Sequence, residues 1–296
     1  GIKSKDEIPK FGIAKFVKAC KDFSVSNMKL MNKDFMRIGV WMDFKNAYQS
    51  VKNEYMEGEW WLIKKAYENK RLYEGEKTMH WCSKCATALA KHELEYKQIK
   101  DSSIFVKFQL NNKKKEYLIV WTTTPWTIPF NLGVMVNPKI DYIKAKVDNE
   151  NWIIAKALSE SLINTLVGKK FSVLEEFKGK KLLGLEYSQP FQDKLPQLKE
   201  LKKKNPKVFT IVLSEEYVDI ASGSGLVHMA PGCGPEDYEM GHKNGIPPFN
   251  TLKENGVFDE TSGIFQGLTA KKDDKKIIEE ISKKHALVAE TKIDHD

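Results

Sequence analysis

The sequence predicts a mixed α/β protein in which a mainly helical segment precedes a domain built around a barrel-like β-sheet. Three observations support this fold class. Apolar residues recur at helical spacing through the first part of the chain, up to about residue 97. From about residue 103 the pattern changes to short runs typical of strands. Helical segments are interspersed among those strands, as expected for a mixed α/β sheet domain.

The helical part contains two amphipathic stretches, at residues 8–17 and 55–67. Between them, residues 39–51 are rich in aromatic side chains but have no clear period, so we expect this segment to pack into a core under a loop. These elements and the following residues form the first predicted domain, residues 1–98.

The second predicted domain spans residues 99–286, and residues 287–296 are expected to form an exit strand that returns toward the first domain. Strands are predicted at 104–108, 117–120, 134–136, 142–147, 152–154, 209–213 and 226–228. Helices are predicted at 155–166, 235–244 and 271–284. The lysine-rich residues 195–207 suggest an exposed connection.

The composition favours a cytoplasmic protein with polyanionic partners. The net charge is +8, and no apolar run approaches the roughly 20 residues that span a membrane. Four cysteines at irregular spacing are typical of a reduced compartment rather than of a disulfide framework. Because nearly all of the positive charge is lysine, a generally lysine-rich, solvated surface explains it equally well. We expect a monomer without a membrane partner.

A threonine-rich string, WTTTPWTIPFN, follows the strand predicted at 117–120. Pro125 favours an extended conformation at Thr124, so Thr122 and Thr124 are expected to share one face. Their hydroxyl and backbone N–H groups could then position a water and stabilise an oxyanion during ester hydrolysis. A strand edge followed by a proline-rich turn explains the same pattern, and the residues alone leave both interpretations open.

A second string, GSGLVHMAPGCGPEDYEMG, runs from a glycine-rich strand into a helix. Pro235 suits the first turn of that helix, where carboxylates are favourable. Asp237 is therefore either a helix-end carboxylate or a group that binds an ammonium by a charge-assisted hydrogen bond. His228 alone is equally compatible with a core histidine whose hydrogen bonds are satisfied.

Together the two strings, in this order and about a hundred residues apart, resemble the editing domain of isoleucyl-tRNA synthetases. Valyl- and leucyl-type enzymes usually carry Thr-x-Arg-Pro-Glu-Thr instead of the sequence around Trp126. The second string matches GTG-x-VH-x-APG-x-G-x-x-D, with Ser224 for the usual Thr and Cys233 where His is often found. A valyl- or leucyl-type editing domain, or a non-catalytic tRNA- or zinc-binding module, remains the alternative.

The resemblance implies hydrolysis of the valine ester of tRNA(Ile) at its 3′ acceptor end. It assigns the ester and the attacking water to Thr122, Thr123 and Thr124, and the substrate ammonium to Asp237. It places Trp126 and His228 around the valyl side chain, and Asn131 near the terminal ribose.

The first domain also resembles the same family, since TMHWCSKCATALAKHELEY looks like half of its zinc knuckle. Cys82 and Cys85 supply two thiolates, whereas structural zinc takes four ligands, and the family takes its second pair from beyond the editing domain. Editing is expected to require no cofactor, and a zinc ion at this half site is the one metal hypothesis. The chain lacks ATP-binding signatures, so ATP binding is expected only of a longer parent synthetase.

Overall fold

The computed structural model describes residues 2–295, which divide into two compact units between Glu76 and Lys77. The sequence placed the domain boundary at residue 98 instead. A two-stranded hairpin, β1 (His80–Cys82) and β2 (Thr87–Leu89), accounts for the difference. Its Trp81 indole donates a hydrogen bond of 2.6 Å to the carbonyl of Glu254, which ties the hairpin to the second unit.

The first unit contains three α-helices among its described residues, α1 (Ile8–Phe11), α2 (Ile13–Arg37) and α3 (Asn53–Glu68). The two predicted helical stretches are thereby confirmed. The expected core packing of residues 39–51 is wrong within this unit, because Trp41 is 97% exposed. None of the described residues in these helices is buried, so the apolar faces lack the cover that amphipathic helices usually obtain from a core.

The second unit contains ten further strands and four further α-helices among the described residues. The strands are β3 (Ile99–Leu110), β4 (Glu116–Thr122), β5 (Gly133–Val136), β6 (Asp141–Val147), β7 (Glu150–Ala155), β8 (Phe171–Lys178), β9 (Tyr187–Ser188), β10 (Thr210–Leu213), β11 (Leu226–Met229) and β12 (Leu287–His295). The helices are α4 (Lys156–Ser159), which continues as a π-helix over Glu160–Leu166, α5 (Pro196–Lys204), α6 (Pro235–Asn244) and α7 (Asp274–Lys283).

These ten strands form one curled, mixed sheet, which confirms the predicted fold class. The main path is β10-β5-β11-β4-β7-β6-β8, while β3 pairs with β4, β9 and β12. Side chains alternate between two cores, as the strand period requires. In β4, Leu118 and Val120 enter the larger core and Ile119 enters the smaller one. No helix among residues 2–295 is long and apolar enough to cross a bilayer.

Most lysines of residues 195–207 are exposed, as expected, but the segment is not a mere connection, because α5 occupies most of it. Pro196 lies in the first turn, where proline is well tolerated, and Leu198 is fully buried in the larger core. The other positions of the helix are largely lysine, so the short apolar stripe is difficult to recognise in the sequence. The strands β8 and β9 were not predicted either. The exit segment is a strand from residue 287 to 295, paired antiparallel with β3, and Asp296 lies outside the described residues.

Candidate active site

The two sequence motifs meet at one edge of the sheet. Strands β4 and β11 are parallel neighbours, with Val227 opposite Trp121. Because parallel strands end at the same edge, the chain leaving Thr122 and the chain leaving Met229 emerge side by side. The first continues into a 3₁₀ helix over Pro125–Phe130, and the second continues through a loop into α6.

The first motif places two threonine hydroxyls together. Thr124 donates its backbone N–H to Thr122 Oγ1 at 3.1 Å, and the two Oγ1 atoms are 3.2 Å apart. They therefore share one face, as the alternation predicts. Thr122 is buried, whereas Thr124 is half-buried and can reach a ligand. Thr123 is half-buried too, and its side chain takes no part in this cluster.

Thr127 joins the two motifs by a direct hydrogen bond. Its Oγ1 lies 3.0 Å from Thr124 Oγ1 and 2.9 Å from His228 Nε2, although His228 is 101 residues away in the sequence. The opposite ring nitrogen of His228 lies 2.8 Å from Asn131 Nδ2, and Tyr187 donates its hydroxyl to Asn131 Oδ1 at 2.6 Å. We call this series, Thr122–Thr124–Thr127–His228–Asn131–Tyr187, the hydroxyl relay.

Asn131 lies inside the protein rather than at a ligand surface. Its side chain is fully buried, and its amide nitrogen also donates to the carbonyl of Gly133 at 2.8 Å. Both polar atoms of the amide are thus engaged by protein partners. Asn131 therefore has no exposed side-chain polar atom with which to make the expected contact with a terminal ribose. Its amide nitrogen hydrogen-bonds to His228 instead.

His228 is a neutral, buried histidine. Its exposure is 5%, and burial lowers its pKa to about 3, because the imidazolium is poorly solvated there. At neutral pH the ring carries no charge, and both nitrogens have hydrogen-bond partners. The interpretation of His228 as a satisfied core histidine is therefore correct for its bonding, but its partners are the site threonines rather than a remote core.

Asp237 presents a carboxylate at the same sheet edge. It lies in the first turn of α6, and its Oδ2 accepts the backbone N–H of Ala230, directly after β11, at 2.9 Å. Burial raises its pKa to about 6; the Ala230 hydrogen bond opposes this shift and the charge of Glu236 adds to it. Within the described part of the chain no cationic side chain pairs with it. An ionised, poorly solvated and unpaired carboxylate is suited to bind an ammonium group.

Trp126 is half-buried and packs against the larger core next to Thr127. Its backbone N–H bonds to Asp274 in the first turn of α7. Burial, with the charge of Asp101, raises the pKa of Asp274 to about 6. A side chain from near the end of the chain thus fixes the turn that carries Trp126.

Close backbone packing explains the glycines of the second motif. A Cβ at Gly223, where φ is +78°, would lie 2.7 Å from the Trp121 ring, and one at Gly232 would lie 2.3 Å from the Phe249 carbonyl oxygen. Cys233 follows Gly232 in the loop that leads into α6. Burial and then the charge of Asp237 raise the pKa of its thiol well above the usual range, so it is not a thiolate nucleophile.

Cys82 and Cys85 lie at the turn of the β1–β2 hairpin. Cys85 donates its backbone N–H to Cys82 Sγ at 3.4 Å, and this N–H is the first of the groups that lower the pKa of the Cys82 thiol. Among residues 2–295 no three His, Cys, Asp or Glu side chains are grouped to hold a metal. Two thiolates do not fit a closed tetrahedral zinc site, so these residues alone are not a structural zinc site.

Three residues of this region were not singled out from the sequence: Thr127, Tyr187 and Asp274. Thr127 lies inside the threonine motif, and its hydroxyl group was the one sequence feature that could have marked it as a site residue. Tyr187 and Asp274 come from separate segments of the chain. Nothing in their local sequence distinguishes them from a core tyrosine and a helix-end carboxylate.

Comparison with known proteins places the chain in a family. The family model described as "tRNA synthetases class I (I, L, M and V)" matches residues 1–222. Proteins named "Isoleucine--tRNA ligase" from Pyrococcus abyssi, Pyrococcus furiosus and Methanocaldococcus jannaschii are 44%, 43% and 39% identical to it. Each alignment covers 100% of this chain but only 28%, 28% and 29% of those relatives.

Two solved structures are similar over most of their own length. "The crystal structure of GlLeuRS-CP1" aligns at 14% identity and a TM-score of 0.48, over 63% of this chain and 96% of that one. The Plasmodium knowlesi cytosolic leucyl-tRNA synthetase editing domain aligns at 11% identity and 0.45, over 64% and 96%. Likeness at this level establishes nothing about function. The family match and the full-length similarity to isoleucine–tRNA ligases show that the chain belongs to the class I tRNA synthetases.

Proposed function

We propose that this chain is the post-transfer editing domain of an isoleucyl-tRNA synthetase, which hydrolyses Val-tRNA(Ile) and does not itself aminoacylate. One observation carries the proposal. The bond between Thr127 and His228 joins the threonine motif to the second motif at one sheet edge, next to the unpaired Asp237. The relatives named for isoleucine favour this editing class over valyl- and leucyl-type domains.

The need for such a site follows from the energetics of discrimination. Valine lacks one methylene of isoleucine, and one methylene supplies only about 1–3 kcal/mol of selectivity at an apolar pocket. A second, smaller pocket that hydrolyses the wrong ester removes the remaining errors. Trp126, half-buried beside the threonines, is proposed to limit the size of the side chain that enters.

Asp237 is proposed to bind the α-ammonium of the aminoacyl group. The cation would neutralise a carboxylate that burial has left poorly solvated, which makes the contact stronger than one at an open surface. Every aminoacyl ester has a free α-amino group next to its carbonyl carbon. Binding of that group by Asp237 is therefore proposed to fix the ester carbonyl relative to Thr122 and Thr124.

The reaction is attack of water on the ester carbonyl. The bond from the carbonyl carbon to the ribose oxygen breaks, which releases valine and leaves a hydroxyl on the 3′ ribose. No general base is available from His228, whose pKa of about 3 reflects a ring that burial keeps neutral and whose nitrogens are both bonded. We therefore assign water positioning to the threonine hydroxyls, with the ribose hydroxyl taking part in proton transfer.

The remaining attributes follow from this assignment. The partner is the 3′ acceptor end of tRNA(Ile), and the lysine-rich composition would give binding that weakens as salt is added. We propose a cytoplasmic monomer that needs no cofactor for editing, with zinc at Cys82 and Cys85 only if further ligands come from elsewhere.

The experiment is deacylation of Val-tRNA(Ile) by the chain and by Asp237→Ala. Loss of turnover in Asp237→Ala with an unchanged circular dichroism spectrum is the expected result. Asp193→Ala, which removes an exposed carboxylate paired with Lys284, is the control and should hydrolyse at the original rate. Full activity of Asp237→Ala would contradict the assigned role. Binding of tRNA without turnover by the original chain would favour the non-catalytic module instead.

A further inference from the structure

We propose that the buried carbonyl of Gly133 fixes the direction of the hydrogen bonds in the hydroxyl relay, so that Thr124 can only accept a hydrogen from the attacking water. The proposal rests on the editing function for its catalytic meaning. The direction of the bonds follows from the geometry of the relay together with a neutral ring at the buried His228. Asn131, His228 and Thr127 would then be positioning residues, which act on the substrate through Thr124.

The first step is the orientation of the Asn131 amide. A backbone carbonyl only accepts hydrogen bonds, so the group 2.8 Å from the Gly133 oxygen must be the NH₂ of Asn131. The carbonyl of Met229, at 3.4 Å, makes the same demand. On the other side, Tyr187 supplies a hydroxyl hydrogen to Oδ1. All three partners agree on one orientation of the amide.

The second step fixes the tautomer of His228. The NH₂ of Asn131 lies 2.8 Å from Nδ1 and can only donate, so Nδ1 carries no hydrogen. A neutral ring then has its hydrogen on Nε2, and the ring is neutral because burial lowers the pKa to about 3. His228 therefore donates from Nε2 to Thr127 Oγ1 at 2.9 Å.

The third step concerns Thr127. Its single hydroxyl hydrogen goes to the backbone carbonyl of Thr124 at 2.7 Å, because a carbonyl cannot donate in return. The oxygen of Thr127 already accepts the hydrogen from His228. Its contact of 3.0 Å with Thr124 Oγ1 must then use the hydrogen of Thr124.

The two outer threonines consequently have different roles. The hydrogen of Thr124 points inward to Thr127, so the oxygen of this half-buried residue can only accept a hydrogen bond from a ligand. Thr122 accepts the N–H of Thr124, and its own hydrogen lies along a long contact of 3.2 Å. Thr124 thus orients the water, whereas the buried Thr122 holds Thr124 in place by accepting its backbone N–H.

The far end of the relay is held rigidly. Tyr187 is fully buried, and its ring stacks on Phe108 with centroids 5.4 Å apart and meets Phe209 edge-on at 6.1 Å. Phe209 adopts φ of 60°, a conformation that costs energy for a bulky residue and persists only where the surroundings enforce it. This packing leaves the Tyr187 end of the relay little room to adopt another arrangement.

The first arm of the test is the tautomer of His228, read by long-range ¹H–¹⁵N correlation on the histidine-labelled chain at pH 7. The six histidines are resolved by loss of one ring signal in His228→Gln, or by proximity to the Thr127 methyl if that variant does not fold. A neutral ring protonated at Nε2 is expected. A ring protonated at Nδ1, or at both nitrogens, overturns the proposal whether or not the chain is active.

The second arm is kinetic and uses Thr127→Val, which keeps the shape but removes the hydroxyl. Hydrolysis of Val-tRNA(Ile) should lose about tenfold in kcat with little change in KM, because one orienting hydrogen bond is lost after substrate has bound. Thr127→Ser should restore kcat. Thr251→Val is the matched control, since Thr251 is equally buried and bonds to Ser262 through a hydroxyl pair at 2.7 Å.

The outcomes separate the two proposals. Wild-type kcat in Thr127→Val, or an equal loss in Thr251→Val, overturns the role of the relay while the editing function stands. Absence of any turnover by the unmodified chain overturns the editing function and the catalytic role of Thr124 with it. In that case the tautomer measurement still confirms or refutes the direction of the bonds.

Discussion

Replacing Asp237 with asparagine should stabilise the folded chain at neutral pH and abolish its hydrolytic activity. The carboxylate has an ordinary pKa of 3.8, which burial raises to about 6 in the folded protein. Because the folded state holds its proton more tightly, stability falls as the pH rises from about 4 to 6. Above pH 7 the ionised, unpaired group is a fixed penalty that the neutral amide of the Asp237→Asn variant would not carry.

The magnitude follows from the interval between the two pKa values. At about 1.36 kcal/mol per pH unit, the interval limits the destabilisation of the folded state by ionised Asp237 to about 3 kcal/mol. Partial exposure of the side chain reduces the expected value to about 1–2 kcal/mol. The asparagine oxygen can still accept the N–H of Ala230, so no new unsatisfied group is created.

The assay is urea unfolding of both chains at pH 8 and at pH 5. Asp237→Asn should be more stable by about 1–2 kcal/mol at pH 8, and the difference should shrink at pH 5. Asp193→Asn is the control of opposite sign, because Lys284 opposes burial and holds the pKa of that carboxyl below its usual value. Equal stability of Asp237→Asn and the original chain at pH 8 would refute the reasoning that this carboxylate is desolvated and unpaired.

Three further predictions concern the same region and the helices. The kcat/KM for Val-tRNA(Ile) should rise with pH through about 6, because Asp237 must ionise to bind the ammonium; a flat profile from pH 5 to 7 contradicts this. Iodoacetamide at pH 8 should modify exposed Cys20 but not Cys233, and peptide mass mapping would show any modification of Cys233. Gly232→Ala should lower the unfolding free energy by about 1–3 kcal/mol through its clash with a neighbouring carbonyl, whereas Gly58→Ala, in an open position of a helix, should raise it by about 0.5–1 kcal/mol in the same denaturant titration.

Regular elements could be predicted where one period dominated the sequence. The continuous run of aromatic and branched apolar residues in β4 and the amphipathic period of α3 were sufficient to place both. The helix α5 was missed because most of its residues are polar or charged and only Leu198 is buried, so lysines obscure the stripe. The short strand β9 was missed because two residues are too few to show a period.

The candidate site was predictable only in part. The two motifs made Thr122, Thr124 and Asp237 candidates through the family resemblance, and the structure brings the two threonine hydroxyls together. The partnership of His228 with Thr127 depends on a strand pairing across about a hundred residues, and no local pattern reports such a pairing. The buried environment of Asn131 likewise arises from Tyr187 and Gly133 in separate strands, so the sequence could not correct the ribose contact that the resemblance implied.

The central claim is that the sheet edge joining Thr124, Trp126 and Asp237 is a valine-selective hydrolytic site. The most direct measurement is the rate at which this chain deacylates Val-tRNA(Ile) and Ile-tRNA(Ile) at low salt. We expect the valyl ester to be hydrolysed at least about tenfold faster, which is the discrimination that one methylene can supply. Equal rates for the two esters, or faster loss of isoleucine, would contradict it.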